Sequence, residues 1–235
     1  MKKIYCLVCC RGGSKGLKNK NILKFYGKPL IYWTYQEIKK TKIFHKIILS
    51  TDSQKIAKIG AKIGFEVDGL RPNKLATDRS NVFETHKYEF KKRNINDQNS
   101  LACVVNNNPF ITSDMIKKTF HLYKKNNFKY IVHLAKEINY DQIFYRQCFK
   151  KNNKLIHYFR KKLINSKINR NQITKTYFNL GDIRWAKINL LSNFVLYNKN
   201  IAKQGNLFLP INKFKYIDIN NYEDLKNAKK IFIKK

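Results

Sequence analysis

Acidic side chains are scarce in this sequence: 15 Asp and Glu stand against 49 Lys and Arg in 235 residues, giving a net charge of +34. A basic surplus of this size is typical of proteins with a polyanionic partner, such as a nucleic acid or a membrane surface. The lysines are spread along the chain in short pairs instead of one basic block, and Asn and Ile are abundant too. We therefore favour a compositional bias over nucleic-acid binding as the origin of the charge.

Cysteines and long apolar runs are also rare. Five cysteines are too few, and odd in number, for a disulfide scaffold. No apolar run approaches the roughly 20 residues of a membrane-spanning helix. The short apolar stretch near the N-terminus leads into Arg11-Gly12-Gly13, which is not a small-residue cleavage site. We therefore expect a cytoplasmic protein with no membrane partner.

Linkers and repeats are absent as well, which predicts a single domain over residues 1–235. Apolar periodicity alternates between the two regular structures along the first half of the chain. The predicted strands are residues 3–10, 46–50, 65–67, 101–105, 130–134 and 215–219. The predicted helices are residues 29–41, 54–63, 81–93, 112–125 and 222–232, with a further regular element at 193–197.

This alternation is typical of βαβ units. It predicts an α/β fold, a three-layer αβα sandwich around a mostly parallel, Rossmann-like sheet. The pattern is interrupted around residues 139–187 by polar stretches that carry aromatic residues. We expect this segment to be an inserted arm that makes an oligomer contact.

Polar residues follow the predicted strands where ligands bind in open parallel sheets, beyond the carboxyl ends. These segments are residues 11–16, 50–52, 106–109 and 218–220. Within the first segment, three glycines let the backbone approach a phosphate closely or adopt positive φ, and exposed N–H groups form an anion-binding concavity. Arg11, Lys15 and Lys20 add cationic donors. Neither the Walker A pattern nor G-x-G-x-x-G is matched.

The order of several short motifs is more specific than the loop alone. They are R-G-G-S-K-G-x-x-x-K-N at 11–21, G-K-P-L-I at 27–31, S-T-D at 50–52, L-R-P-x-x-L-A-T-D at 70–78, N-P-F-I at 108–111 and Y-I-D-I-N-N-Y-E-D at 216–224. This series resembles the acylneuraminate cytidylyltransferases, the CMP-sialic acid synthetases. The similarity is dense over residues 1–80 and looser beyond.

The resemblance implies an enzyme that couples CTP to the anomeric hydroxyl of a nonulosonic acid and releases pyrophosphate, with Mg²⁺ as cofactor. It implies catalytic roles for Arg11, Lys20 and Asp218, with Lys20 neutralising charge on the leaving pyrophosphate. The implied substrate-binding and nucleotide-binding residues are Gly12, Gly13, Ser14, Lys15, Asn21, Arg71, Asp78 and Asn107. The family is also expected to form homodimers.

Two positions depart from the family pattern. Asp218 matches the carboxylate that holds the metal, but Asn220 stands where the family commonly has a second Asp. Residues 218 and 220 of a strand share a face, and an amide oxygen still ligates Mg²⁺, although without charge. The second departure is the run Asn106–Asn108, in the segment that touches the sugar in sialate enzymes.

Other interpretations stay open at this point. The substrate is a sialic-type acid or, alternatively, Kdo or another sugar acid; the chain is an active enzyme or a degenerate relative that only binds nucleotide. A basic nucleic-acid-binding module is the alternative of a different class, but its stacking aromatics interleaved with cations are not evident. Arg184 either pairs with the sugar carboxylate or forms a surface salt bridge.

Overall fold

The computed structural model describes residues 3–14, 16–95, 100–138, 148–151, 154–157, 176–211 and 216–232. Its centre is a six-stranded sheet with the strand order β10-β6-β9-β5-β1-β4. In chain order these strands are β1 (Ile4–Cys9), β4 (Lys46–Ser50), β5 (Leu101–Val105), β6 (Ile131–Ile138), β9 (Thr176–Lys187) and β10 (Asn206–Ile211). Strand β9 runs antiparallel to both of its neighbours, and the remaining pairings are parallel.

Helices cover both faces of this sheet. Their bounds are α1 (Leu30–Lys40), α2 (Gln54–Ile63), α3 (Val82–Lys92), α4 (Ser113–Lys125), α5 (Ile188–Leu191), α6 (Phe194–Gln204) and α7 (Tyr222–Ile231). Helices α1, α2 and α4 pack on the face that carries Cys6 and Val8, whereas α3, α5 and α6 pack on the face of Tyr5 and Leu7. Side chains alternate along a strand, so β1 feeds both cores. The predicted three-layer αβα fold is confirmed.

Local sequence signals set where the helices begin. Ser53, Asn81, Thr112 and Asn193 each accept a hydrogen bond from a backbone N–H of the first turn of α2, α3, α4 and α6. These side chains satisfy donors that the helix itself leaves free. Helix α2 ends at Ile63 and is capped by Gly64, whose φ of 119° favours glycine.

A third, smaller core lies beside the sheet. A two-stranded ribbon, β2 (Lys24–Phe25) and β3 (Lys28–Pro29), packs with α7 through Phe25, Leu225 and Ala228. Leu17 and Ile219 belong to the same cluster. This packing brings the loop after β1 next to residues 216–220, which are about 200 positions away in sequence.

Several predicted elements differ in the structure. Residues 216–219, predicted as part of a strand, have no regular structure, and the predicted strand at 65–67 is a single bridge between Ile48 and Glu66. The element expected at 193–197 is the beginning of α6, and β10 was not predicted. The hairpin of β7 (Cys148–Lys151) and β8 (Lys154–His157) lies within the predicted arm.

The C-terminal boundary of that arm, at 187, was wrong. Residues 176–187 form β9, which lies between β5 and β6 in the main sheet. Most of residues 139–175 lie outside the described residues, so the oligomer contact stays a prediction. Within the part of the chain that the structure describes, no helix combines the length and apolar character needed to cross a membrane.

Candidate active site

The loops that follow β1 and β5 meet residues 180–182 of β9 and residues 218–220 around one open cavity. Strand β9 is antiparallel, so its N-terminal half lies at the edge where the parallel strands end. The cavity has a volume of about 310 Å³. Its lining consists of Cys9, Arg11, Ser14, Lys20, Asn21, Asn106, Asn107, Leu180, Asp182, Asp218 and Asn220.

Lys20 is held at this cavity by the segment that precedes α7. Its Nζ donates to Asn220 Oδ1 at 3.1 Å and lies 3.8 Å from Asp218 Oδ1. Asn220 Nδ2 in turn donates to Asp218 Oδ2 at 2.9 Å. The predicted cation and the two predicted metal ligands are therefore brought together, although the segment is not the strand that was expected.

Asn21 and Asn107 form a second hydrogen-bonded set. Asn107 Nδ2 donates to Asn21 Oδ1 at 3.0 Å, and Asn107 Oδ1 accepts from Thr34 Oγ1 at 2.9 Å. Asn21 Nδ2 donates to the carbonyl of Arg11 at 2.9 Å. Asn21 is buried. These bonds fix the two ends of the glycine-rich loop relative to the sheet.

Two of the glycines of this loop, Gly12 and Gly16, allow another segment to approach closely, and none of the three adopts positive φ. Gly12, Gly13 and Gly16 all lie outside the left-handed region. A Cβ on Gly16 would lie 2.1 Å from the carbonyl oxygen of Asn220, which excludes any side chain there unless the backbone moves. The N–H of Gly12 donates to Asp52 Oδ1 at 2.9 Å. The S-T-D motif therefore anchors the loop.

The remaining predicted residues lie around this centre. Arg11 Nη1 pairs with Asp78 Oδ1 at 2.7 Å, and the buried Arg71 lies 3.6 Å from Asp52 through Nη2. Arg71 Nε is buried without a hydrogen-bond partner. Arg71, Asp78, Gly12 and Gly13 do not line the cavity within the described residues. Lys15 lies outside the described residues.

Asp182 is the site residue that sequence reasoning missed. It is 5% exposed, lines the cavity, and shares it with Asp218. Burial, reinforced by the charge of Asp218, raises the pKa of Asp182 to about 7, although Asn106 and Lys20 oppose the shift. The available signal was a G-D pair inside an alternating run, but we assigned that run to the arm.

The fold and cavity define an α/β protein with a polar cleft beyond the carboxyl ends of its parallel strands, and comparison with known proteins identifies its family. The family model described as Cytidylyltransferase matches residues 5–233. The chain therefore belongs to the cytidylyltransferase family.

Two curated relatives illustrate the similarity. The chain is 35% identical to the N-acylneuraminate cytidylyltransferase of Escherichia coli over 52% of this chain and 28% of that protein. It is 25% identical to the pseudaminic acid cytidylyltransferase of Campylobacter jejuni over 98% of this chain and 96% of that one. The chain spans about a third or less of the length of the first curated relatives that it matches.

Among solved structures, the chain resembles a CMP:2-keto-3-deoxy-manno-octonic acid synthetase complexed with CTP. The TM-score is 0.73 at 12% identity, over 97% of both chains. At this identity the likeness shows the fold alone. It supports the Rossmann-like class.

Cytidylyltransferases of this kind generally use a divalent metal. The Asp218 carboxylate, the Asn220 amide oxygen and the Asp182 carboxyl are hard oxygen donors of the kind that suits such an ion. Within the described residues, no cluster of three or more His, Cys, Asp or Glu forms a cage. The donor set thus fits an ion that takes many ligands from water and phosphate, as Mg²⁺ does.

Proposed function

We propose that this protein transfers the cytidylyl group of CTP to the anomeric hydroxyl of a nonulosonic acid, giving a CMP-sugar and pyrophosphate. The observation that carries this proposal is the contact of Lys20 with Asp218 and Asn220 at the glycine-rich loop. Those residues belong to the ordered motifs at 11–21 and 216–224, and the family model spans both.

The reaction needs positioning and charge stabilisation more than covalent catalysis. The sugar hydroxyl oxygen forms a bond to the α-phosphorus of CTP, the bond from that phosphorus to the bridging oxygen breaks, and pyrophosphate leaves with the electron pair. The hydroxyl proton passes to solvent or to a carboxylate. Lys20 neutralises the charge that builds on the leaving group, and Arg11, Ser14 and Lys15 bind the triphosphate.

The other predicted residues position the nucleotide and the metal. Asn21 and Asn107 line the nucleotide site directly. Arg71, Asp78, Gly12 and Gly13 lie behind that lining and position the glycine-rich loop, through the pairs of Asp78 with Arg11, Arg71 with Asp52 and the Gly12 N–H with Asp52. Asp218 and Asn220 would hold Mg²⁺, which supplies positive charge to the triphosphate. The single carboxylate of this pair predicts weaker metal binding than a pair of aspartates would give.

The proposed class of sugar substrate is inferred from the names of the curated relatives. The names of two of them specify N-acylneuraminate and pseudaminic acid. A sialic-type acid is therefore the proposed substrate, and the proposed working form is a cytoplasmic homodimer without a nucleic-acid or membrane partner. Asn106–Asn108 are compatible with this role, because Asn107 and Asn108 make hydrogen bonds within the protein and Asn106 lines the cavity.

A substrate panel tests the proposal. Pyrophosphate release is measured with CTP, ATP, GTP or UTP against sialic, legionaminic and pseudaminic acids and Kdo, with Mg²⁺. We expect turnover with CTP and at least one nine-carbon acid. Turnover with Kdo alone would replace nonulosonic acids with Kdo as the substrate. Binding of CTP without turnover would indicate an inactive member of the family that only binds nucleotide. Salt-sensitive binding of RNA or DNA without binding of CTP would support the nucleic-acid alternative.

A further inference from the structure

Arg184 lies on β9 two residues after Asp182, and among the described residues it is not one of those that line the cavity. It pairs with Val104 of β5 and His133 of β6, so it occupies the middle of the sheet. Because side chains alternate along a strand, Arg184 shares a face with the cavity-lining Asp182, roughly 7 Å away along the strand.

The guanidinium of Arg184 points back toward the cavity wall. A Cβ built on Gly181 would lie 3.9 Å from Arg184 Nη2, and residues 180 and 182 on either side of that glycine line the cavity. The guanidinium carbon lies 5.5 Å from the ring centre of Tyr197 and 5.9 Å from that of Phe83. Two aromatic rings from α6 and α3 thus hold the side chain in place.

Arg184 has no acidic partner among the described residues, and its Nε is buried without a hydrogen-bond partner. The carboxylate of Glu89, on the same side of the sheet, pairs with Arg93. The positive charge of Arg184 also disfavours protonation of two nearby histidines. Burial, together with Arg184, lowers the pKa of His133 to about 3. Burial and the same arginine lower the pKa of His86 to about 4.

A half-buried guanidinium without a counter-charge is costly unless an anion completes its environment. The surface salt bridge considered for Arg184 is not formed within the described residues. Lys20, which lines the same cavity as Asp182, is already proposed to neutralise the triphosphate. The anion that belongs near Arg184 is therefore on the second substrate.

We propose that Arg184 binds the carboxylate of the sugar acid. This inference rests on the proposed function. The planar guanidinium matches a carboxylate with two parallel hydrogen bonds. In a keto acid sugar the carboxylate and the reacting hydroxyl are attached to the same carbon, so fixing one positions the other. Arg184 is thus a specificity-determining residue for acids over neutral sugars.

The test compares Arg184→Met with Lys187→Met, which removes one positive charge three residues further along the same strand, at the edge of the sheet away from the cavity. In Arg184→Met we expect kcat/KM for the sugar acid to fall about 10- to 100-fold, with the Kd of CTP, measured by calorimetry, unchanged. Lys187→Met should behave like the wild type in both measurements. Arg184→Lys, which keeps the charge but not the two-point geometry, should lie in between.

The decisive readout is discrimination between the sugar acid and its C1 carboxamide. The wild type should prefer the acid, and Arg184→Met should lose about the same 10- to 100-fold factor from this preference. If the preference persists in Arg184→Met, or in Arg184→Lys should the first variant not fold, the assignment is overturned. Loss of CTP binding would instead assign Arg184 to a phosphate. If the wild type turns over no sugar acid, the proposed function fails first and this assignment with it.

Discussion

Lys20 is the residue whose surroundings most directly express a catalytic task. It lies beside a carboxylate and an amide oxygen in an open cavity. Its charge is therefore held in position without being neutralised in a buried ion pair. Such a preorganised cation stabilises charge that develops in the transition state without the cost of reorienting solvent.

Replacing Lys20 with Ala should therefore reduce kcat by about 10²–10³-fold, with the thermal midpoint nearly unchanged. Steady-state pyrophosphate release and thermal unfolding provide the two measurements. Lys18→Ala is the matched control, because Lys18 is exposed in the same loop. Similar rates for the two variants would remove Lys20 from the mechanism.

Gly16 shows why a small residue is required at a contact between distant segments. In Gly16→Ala, the new methyl group would collide with the carbonyl of Asn220, so the loop or residues 218–220 must shift. We expect a loss of about 1–3 kcal/mol in stability and a lower kcat/KM for CTP. Gly13→Ala is the stability control, since a methyl group there would meet no atom of another segment within 4 Å. Equal unfolding midpoints for the two variants would contradict the close contact.

Asp182 should make stability depend on pH. Its pKa is raised from 3.8 to about 7 in the folded protein, so the folded state binds more protons than the unfolded state between these values. Stability therefore falls as pH rises through this window, by about 3 kcal/mol between pH 5 and pH 8. Asp182→Asn does not titrate and should show a flatter profile. Urea unfolding at pH 5 and pH 8, in EDTA and without nucleotide, measures the difference; parallel profiles would disprove the shift.

At the scale of elements, the N-terminus of α7 controls the position of Asp218 and Asn220. Asp224 Oδ2 accepts from the backbone N–H groups of Asn220 and Asn221 at 2.8 and 3.0 Å, and Asn221 completes a capping box. The cap thus fixes the end of the segment that contacts Lys20.

Asp224→Ala should cost about 1 kcal/mol of stability and should also lower kcat/KM, because the backbone of Asn220 loses its anchor. Glu223→Ala, in the same exposed first turn, is the control that removes a charge without removing the cap. Denaturant unfolding and initial rates measure both effects. Identical behaviour of the two variants would show that the cap does not position the site.

Strand β9, which the sequence analysis placed in the inserted arm, is part of the main sheet and contributes to the site. It contributes Asp182 to the cavity and carries Arg184 two residues further on. Trp185, on the other face, is fully buried and donates to Thr119 Oγ1 at 2.9 Å. One strand therefore carries both a core anchor and polar site residues. Its central place in the sheet is what gives those polar residues their position.

At the scale of the whole molecule, the net charge of +34 implies self-repulsion in the compact state. Raising NaCl from about 0.1 to 1 M shortens the Debye length from about 10 to 3 Å. We expect the thermal midpoint to rise by a few degrees, and equally in KCl. A falling midpoint would mean that favourable ion pairs outweigh the repulsion.

The local signals were sufficient for much of the fold. Apolar runs such as residues 101–105, and caps such as Ser53 and Thr112, depend on neighbours in sequence, and the structure confirms these elements. Strand β9 was not predicted, because a strand with polar site residues on one face does not show a continuous apolar pattern. Residues 215–219 were predicted as a strand because their alternation also suits an extended segment without strand partners, which is what residues 216–219 form.

The sequence by itself determined the alternation of strands and helices, the glycine-rich basic loop and the ordered motifs of the family, because each depends on residues close together along the chain. Only the tertiary structure decided that Asn220 contacts both Gly16 and Lys20, that Asp182 shares the cavity with Asp218, and that Arg184 has no acidic partner among the described residues. Those facts depend on packing between segments up to 200 positions apart, which no local pattern encodes.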